Sequence, residues 1–288
     1  MTLLDIPVRN RPVYLQTDAG RVVMMVRGEP FTIYSYGPGS NPGVSALFAA
    51  DSRQVAGRPA GMAAVTVGHE EVNGVSYLHD SARGGIIEHR ELTVRRGLYS
   101  VGFVHRLVWR DGHGNPVMAD ARRVRVTAGP CDGGILDIAL RLTPLIRGGV
   151  HFGATAHDLL RIHLASSLSA PQMSQMRNEH GHCGTEEVDG RISRWVSVDG
   201  VIRGETVGIV VLDHPRNPFH PTTWRADFEG TLSPSPILWA GVDETLTKTI
   251  VIRYRIITHC GYVEAGWSHA RFQEYADEPC NNEFGDRE

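Results

Sequence analysis

The sequence predicts an all-β protein, a large antiparallel β-sandwich of the supersandwich or jelly-roll type with one short helix near the C-terminus. Residues 134–142 and 249–258 alternate apolar and polar side chains with a period of two, as half-buried strands do. Other strand-like stretches recur about every ten residues and are separated by turn signals. This pattern favours a sandwich or barrel over alternating βαβ units.

The individual elements follow from the same signals. The remaining strand-like stretches are 13–16, 21–26, 31–35, 86–94, 99–109, 117–126, 160–164, 192–198 and 205–212. Turn signals lie at 18–20, 112–115, 132–134 and 199–200, and loops are expected at 37–43 and 166–171. A helix is expected at 263–276. We predict one domain over 1–288, with a polar tail at 277–288 that frays.

The composition excludes several classes of function. The 288 residues carry 29 basic and 32 acidic side chains, a net charge of −3, so no positive field attracts nucleic acid or an anionic membrane. The N-terminus lacks a signal-peptide pattern, and no apolar run approaches the ~20 residues of a membrane span. We therefore expect a cytoplasmic protein with four cysteine thiols. The expected partner is a small molecule, and a homodimer is left open.

The densest group of polar residues follows the strand predicted at 205–212. It begins with Asp213 and His214 and runs through Asn217 to Trp224, with three prolines that stiffen the loop. A carboxylate beside an imidazole can act as general base and acid, or can bind a cation. The structural alternative is that Asp213 begins a turn and His214 packs beside Trp224.

A second polar group surrounds a tight-turn signal at Asn73 and Gly74. It contains His69 and Glu71, which could ligate a metal or serve a substrate. The spacing matches no standard metal site, because the fourth residue after His69 is Asn73 rather than the second histidine of HExxH. A polar hairpin with solvent-facing acids is the favoured interpretation of this group on its own.

A third group combines His180, His182 and Cys183 within four residues, a pattern that invites a metal assignment. Because glycines flank it, an exposed flexible loop is the better interpretation. His151 and His259 each end a predicted strand and are held in reserve as functional candidates. The motifs GxSxG, Walker A, GxGxxG and the zinc ribbon are absent, which weakens serine hydrolase and nucleotide-binding assignments.

Several short motifs follow one another in a fixed order. They are His69-x-Glu71-Val72-Asn73-Gly74, Gly84-Gly85-Ile86-Ile87-Glu88-His89, Leu107-x-Trp109-x-Asp111, Phe152-Gly153-Ala154-Thr155, Arg194-Trp195-Val196-x-Val198-x-Gly200, Gly208-Ile209-x-x-Leu212-Asp213-His214-Pro215-x-Asn217, Trp224 and His259-Cys260-Gly261. In this order they resemble the bacterial family that carries the inherited label methane oxygenase PmoA-like, over about residues 60–275.

The resemblance implies a large sandwich of the sugar-active type, whose members often occur in settings of carbohydrate metabolism beside sugar oxidoreductases. The positions it carries over are His69, Glu71, Asn73, Asp213, His214, Asn217 and Trp224.

The sequence departs from this family in two places. Relatives usually carry a histidine cluster just before the hairpin, whereas residues 59–67 contain no histidine and offer a smaller, more apolar pocket wall that includes Met62. Relatives also tend to read Trp-His-x-Arg after the proline-rich loop, where this chain reads Trp224-Arg225. We infer a divergent member, adapted to a less polar metabolite of a biosynthetic pathway.

These observations predict a small-molecule enzyme that uses acid–base chemistry, without cofactor or metal, on a carbohydrate-like or biosynthetic metabolite. A lyase, isomerase, hydrolase or cyclase reaction fits. His214, oriented by Asp213, would move the proton, and His69 or Glu71 would lie opposite. Arg225 would hold an anion or polarise a carbonyl. The expected substrate contacts are Asn73, Asn217, Trp224, Arg225, Met62 and His259.

Two alternatives remain open. The first is a non-catalytic sugar- or metabolite-binding protein on the same fold, with aromatic platforms in a groove. The second is a metalloenzyme in which some of His69, His79, His89 and His214 bind iron or zinc, against which the missing histidine cluster argues.

Overall fold

A computed structural model gives the fold of the chain. It describes residues 11–37, 41–57, 63–78, 84–156, 159–169, 174–235, 244–280 and 283–285. Strands dominate these residues, and the predicted all-β class with a C-terminal helix is confirmed. None of the helices in the described ranges is long and apolar enough to cross a membrane.

The strands are, in chain order, β1 (Val13–Asp18), β2 (Arg21–Val26), β3 (Glu29–Ser35), β4 (Gly43–Ala49), β5 (Arg53–Ala56), β6 (Val65–Val67), β7 (Ile86–Arg96), β8 (Ser100–Arg110), β9 (Pro116–Ala128), β10 (Gly134–Pro144), β11 (Val150–Phe152), β12 (Leu160–His163), β13 (Ser174–Asn178), β14 (Arg191–Ile192), β15 (Trp195–Ile202), β16 (Glu205–Asp213), β17 (Thr223–Ala226), β18 (Thr231–Ser235), β19 (Glu244–Leu246) and β20 (Ile250–Cys260). The helices are α1 (Ser166–Ser169), α2 (Thr185–Val188) and α3 (Ala265–Asp277).

Two large antiparallel sheets form the sandwich. Within the described residues, one has the order β1-β2-β3-β4-β6-β12-β18-β17-β14, with β5 paired to β4, and the other has the order β13-β15-β16-β20-β10-β9-β8-β7. A small third sheet pairs β11 with β19. The two stretches with the clearest alternation, β10 and β20, are neighbours at the centre of the second sheet, where Leu136 faces Ile256 and Leu140 faces Ile252.

The main core lies between the two large sheets. Leu136, Leu140 and Leu142 of β10 are fully buried there, together with Val22 and Met24 of β2 in the opposite sheet. Each fully buried side chain of this size contributes roughly 1.5–3 kcal/mol. The alternation in the sequence therefore marks the faces that these strands turn inward.

Helix α3 covers the outer face of the second sheet. Its Phe272 and Tyr275 pack against Leu212 and Val210 of β16 and Ile257 of β20 in a separate apolar cluster. The helix therefore closes off the outer side of the strand that ends at Asp213.

Two of the three segments expected to be irregular need correction. Residues 166–171 were expected to be a loop, but α1 begins at Ser166. The segment expected as a loop at 37–43 ends in β4, which starts at Gly43. The segment 178–184, expected to be an exposed loop, is an exposed turn. The side chain of Asn178, 2% exposed, accepts hydrogen bonds from the backbone of His180 (3.0 Å) and His182 (3.2 Å) and fixes the turn.

The described part of the C-terminal tail docks on the second sheet instead of fraying. Glu278 accepts hydrogen bonds from Arg255 at 2.6 Å and from Arg125 at 2.9 Å. Phe284 is 7% exposed, and the guanidinium of Arg141 lies 4.7 Å from its ring centre. The prediction from polar composition alone was therefore wrong, because the carboxylates of this segment bind a row of arginines on the outer face of the sheet.

Candidate functional site

Asp213, the last residue of β16, has a fully buried carboxylate that accepts three hydrogen bonds. Asn217 donates to Oδ1 at 2.7 Å, and the backbone N–H of Thr222 donates to Oδ2 at 3.0 Å. The third donor is His220, whose Nδ1 lies 2.6 Å from Oδ2. Burial raises the pKa of Asp213, and the bonds from His220 and Asn217 oppose that shift.

Asn217 explains how the loop holds this geometry. Its side-chain amide donates to the carbonyl of Arg253 at 2.6 Å and accepts from the N–H of Arg253 at 2.7 Å. The amide thus continues the hydrogen bonding of β20 beyond the end of β16, while its second N–H reaches Asp213. Asn217 was expected to contact the substrate. In this structure its side-chain amide is bonded to the protein itself.

His220 is the imidazole that Asp213 orients. The ring stacks on Phe272 of α3, with 5.9 Å between ring centres and 3° between planes. Its side chain is 16% exposed, and Nε2 has no hydrogen-bond partner among the described residues. Because the carboxylate holds the proton on Nδ1, Nε2 is left with the lone pair of a base.

Arg194 and Glu179 lie beside this Asp–His pair. The guanidinium carbon of Arg194 is 5.1 Å from the centre of the same Phe272 ring, and its carbonyl accepts the backbone N–H of Asp213 at 2.9 Å. Glu179 binds Arg194 through both the backbone N–H (2.6 Å) and Nε. We call Asp213, His220, Arg194, Glu179 and Phe272 the Asp213 site.

The structure corrects the predicted partner of Asp213. His214 is 1% exposed and lies edge-on to Tyr275 at 4.7 Å, with Nε2 3.5 Å from the sulfur of Cys280 and Nδ1 accepting the N–H of Arg216 at 3.1 Å. Neighbouring residues of an extended chain point to opposite sides, so Asp213 and His214 diverge. Burial, with the nearby Arg253, lowers the pKa of His214 to about 4.

The depressed pKa of His214 predicts acid sensitivity. Between pH 6.5 and pH 4 the unfolded chain takes up a proton at this position and the folded chain does not, so stability present above pH 6.5 is lost as the pH falls. The variant His214→Phe keeps an aromatic ring against Tyr275. Between pH 7 and pH 5 we expect its free energy of unfolding to fall by about 2 kcal/mol less than that of wild type. Urea unfolding at the two pH values measures this, and equal losses would contradict it.

The hairpin at 69–74 lies in a different part of the fold. His69 is fully buried, its Nδ1 accepts the N–H of Glu71 at 3.1 Å, and its ring lies edge-on to Phe152 at 5.2 Å. Asn73 adopts a left-handed φ of 51° and exchanges hydrogen bonds of 2.9 Å with the backbone of His151. These contacts tie the hairpin to β11, whereas those of Asp213 run to the loop after β16.

The remaining predicted contacts are distributed over the fold. Trp224 is fully buried and donates its indole N–H to the carbonyl of Ser193 at 2.8 Å, so its ring is part of the core. Arg225 pairs with Asp189 at 3.0 Å. Met62 lies outside the described residues.

His259 belongs to a second buried Asp–His pair. Its Nε2 lies 3.2 Å from Oδ1 of Asp199, too poorly aligned for a hydrogen bond, and its Nδ1 is 3.0 Å from the carbonyl oxygen of Gly261. Gly208 of β16 is the strand partner of both Asp199 and His259. A Cβ at this glycine would lie 2.7 Å from Nε2 of His259. Burial lowers the pKa of His259 to about 4 and raises that of Asp199 to about 6.

Three of the histidines proposed as metal ligands, His69, His89 and His214, lie in the described ranges, and they are not gathered into one cluster. Within the described residues no group of three or more His, Cys, Asp and Glu side chains is arranged to hold a metal ion. His79 lies outside those residues. His89 bonds to another histidine, His105, rather than meeting His69 or His214.

A model of the family DUF6807, described as a family of unknown function, matches residues 21–273. The chain belongs to this family. None of the curated proteins matches the sequence.

Two solved structures similar to this DUF6807 protein are of alpha-N-acetylgalactosaminidase NagBb from Bifidobacterium bifidum. The complex with GalNAc has a TM-score of 0.39 and 11% identity and covers 92% of this chain and 38% of that one. The complex with Gal-NHAc-DNJ has a TM-score of 0.35 and 15% identity and covers 87% and 35%. The chain thus spans little more than a third of these structures, and similarity at these TM-scores assigns no function.

Sequence reasoning missed His220 in this DUF6807 protein. The residue stands seven positions after Asp213 and is separated from it by two prolines, so adjacency pointed to His214 instead. Strand alternation was the available signal. If Asp213 ends a strand with its carboxylate on one face, the next residue faces away, and a partner must come from the returning loop.

Proposed function

We propose that this protein is an enzyme that acts on a small polar molecule by general acid–base catalysis, with His220 as the proton carrier and Asp213 as its orienting carboxylate. The observation that carries the proposal is the 2.6 Å contact between Nδ1 of His220 and Oδ2 of a fully buried Asp213. A carboxylate so placed selects one tautomer and stabilises the imidazolium that forms when Nε2 takes a proton.

Arg194 supplies the second element of the chemistry. Glu179 occupies its Nε, while the side chain is 34% exposed, so its Nη groups are left to meet a substrate. A guanidinium there would stabilise negative charge that develops on a substrate oxygen as His220 removes a proton. Proton transfer of this kind serves lyase, isomerase, hydrolase and cyclase reactions alike.

A carbohydrate-like substrate is part of the proposal. Its support is the ordered set of motifs that resembles the PmoA-like family, and we propose membership of that group on the same ground.

Turnover by wild type and by His220→Gln tests the assignment. The probes are free pyranoses, aldono-1,5-lactones and p-nitrophenyl glycosides, followed by NMR or absorbance. We expect wild type to convert at least one class, and His220→Gln to lose about 100- to 10,000-fold in kcat with binding retained. His113→Gln, which changes an exposed histidine in a hairpin turn, is the matched control and should be unaffected.

Two results would contradict the proposal. Turnover that survives in His220→Gln would remove His220 from the mechanism. Binding of a probe by wild type without conversion of any class would instead identify a binding protein.

A further inference from the structure

A chain of polar side chains crosses the sandwich interior from Arg122 to His89. Nδ1 of His89 lies 2.8 Å from Nε2 of His105, and Nδ1 of His105 lies 2.8 Å from the hydroxyl of Tyr34. The positive charge of Arg122 acts on that hydroxyl. Asp120 in turn accepts from Nε of Arg122 at 2.8 Å.

Four members of this chain are almost completely buried. The exposed fractions are 0% for His105, 1% for Arg122, and 2% for both Tyr34 and Asp120. His89 alone is exposed. Burial of polar groups is unfavourable unless each is satisfied, so this connected line running from the core to one exposed imidazole calls for an explanation.

The direction of the hydrogen bonds is fixed from the buried end. The positive charge of Arg122 attracts the Tyr34 oxygen, so the hydroxyl directs its single proton away from the guanidinium and towards Nδ1 of His105. Burial and the charge of Arg122 lower the pKa of His105 to about 3, so its ring is neutral at pH 7. The single ring proton of His105 is therefore on Nε2 and is donated to Nδ1 of His89. Because Nδ1 of His89 accepts this bond, the proton of a neutral His89 is on its outer nitrogen, Nε2.

His89 stands at the mouth between the two sheets, away from the Asp213 site. It lies on β7, the edge strand, and its ring centre is 5.2 Å from that of the half-buried Tyr36, which follows β3. Five strand spacings of about 4.8 Å separate β7 from β16, roughly 24 Å. One small substrate therefore cannot contact both His89 and Asp213.

We propose that Nε2–H of His89 is the centre of a second binding site, which takes an oxyanion (a carboxylate or phosphate oxygen of a small ligand) beside the ring of Tyr36. The relay from Arg122 polarises the donor, because each bond in the line points outward from a positive charge. Tyr34 and His105 are positioning residues, since they act only through His89. This site is independent of the chemistry proposed at Asp213.

NMR of the full chain labelled with ¹⁵N-histidine tests the proposal without any knowledge of the reaction. We expect the nitrogen shifts of His89 to report the Nε2–H tautomer. Titration with inorganic phosphate and, separately, with gluconate distinguishes the two sources of an oxyanion, and at least one should shift the Nε2 signal saturably. Neutral glucose, at the same concentrations, should not.

The variant Tyr34→Phe distinguishes a positioning role of Tyr34 from a purely structural one. The variant removes the proton that fixes His105, so we expect His89 to populate both tautomers and to bind the anion at least about tenfold more weakly. Tyr14→Phe, which removes another buried hydroxyl, is the control and should leave both readouts unchanged. An Nδ1–H tautomer of His89 in wild type, no response to either anion, or an equal response to glucose would each overturn the proposal.

Discussion

Asp213→Asn should reduce kcat by about a thousandfold to ten-thousandfold, with little change in substrate binding. The carboxylate accepts from His220, Thr222 and Asn217 together, and an amide has only one oxygen to offer. If that oxygen meets the backbone N–H of Thr222, the amide N–H₂ faces Nδ1 of His220. The imidazole then keeps its lone pair on Nδ1 and its proton on Nε2, so the basic atom no longer faces the substrate.

Two measurements make this prediction specific to orientation. The ¹⁵N shifts of His220 should report a change of tautomer, while kcat on the substrate identified with wild type falls. Asp189→Asn is the matched control, because Asp189 holds Arg225 in a half-buried ion pair and does not contact His220. The double variant Asp213→Asn/His220→Gln should be no slower than His220→Gln alone, since the two residues act as one unit. Additive losses would show that Asp213 acts by another route.

Local patterns were sufficient for most of the fold. The alternation in β10 and β20 could be recognised because each strand buries one face and leaves polar residues on the other. The strands β4, β5, β6, β13, β17, β18 and β19 were missed. All five residues of β18 are buried, so it shows no alternation, and its Ser and Pro residues are typical of turns.

Sequence reasoning identified only part of the candidate site. Asp213 was singled out because it follows an apolar strand, and Asn217 was carried over by the resemblance as a substrate contact, whereas its amide binds Asp213 and Arg253. The histidine partner was assigned wrongly, because contact in the chain was taken for contact in space. No local pattern connects His89 with Tyr34, since the bond that links them through His105 joins strands of different sheets.

Asp137→Ala should lower the free energy of unfolding by about 3–5 kcal/mol. Asp137 lies on the outer face of β10 and is 5% exposed. Arg255 reaches its two oxygens at 2.6 and 3.0 Å, and Arg125 donates two hydrogen bonds at 2.7 and 2.9 Å. Burial raises the pKa of Asp137, but the two arginines outweigh it and hold the pKa below its ordinary value. Its stabilisation is therefore lost only in acid, as the carboxylate is protonated.

The large loss arises from what the substitution leaves behind. The side chain of Arg255 is 5% exposed, and without Asp137 its remaining carboxylate partner is Glu278, which is 40% exposed. Glu278→Gln removes charge from the same network at its solvent side and should cost only about 1 kcal/mol or less. Urea unfolding at pH 7 compares the two variants. Equal losses would show that the network is stabilised by its exposed end, and that the docked tail, rather than the buried carboxylate, secures the arginines.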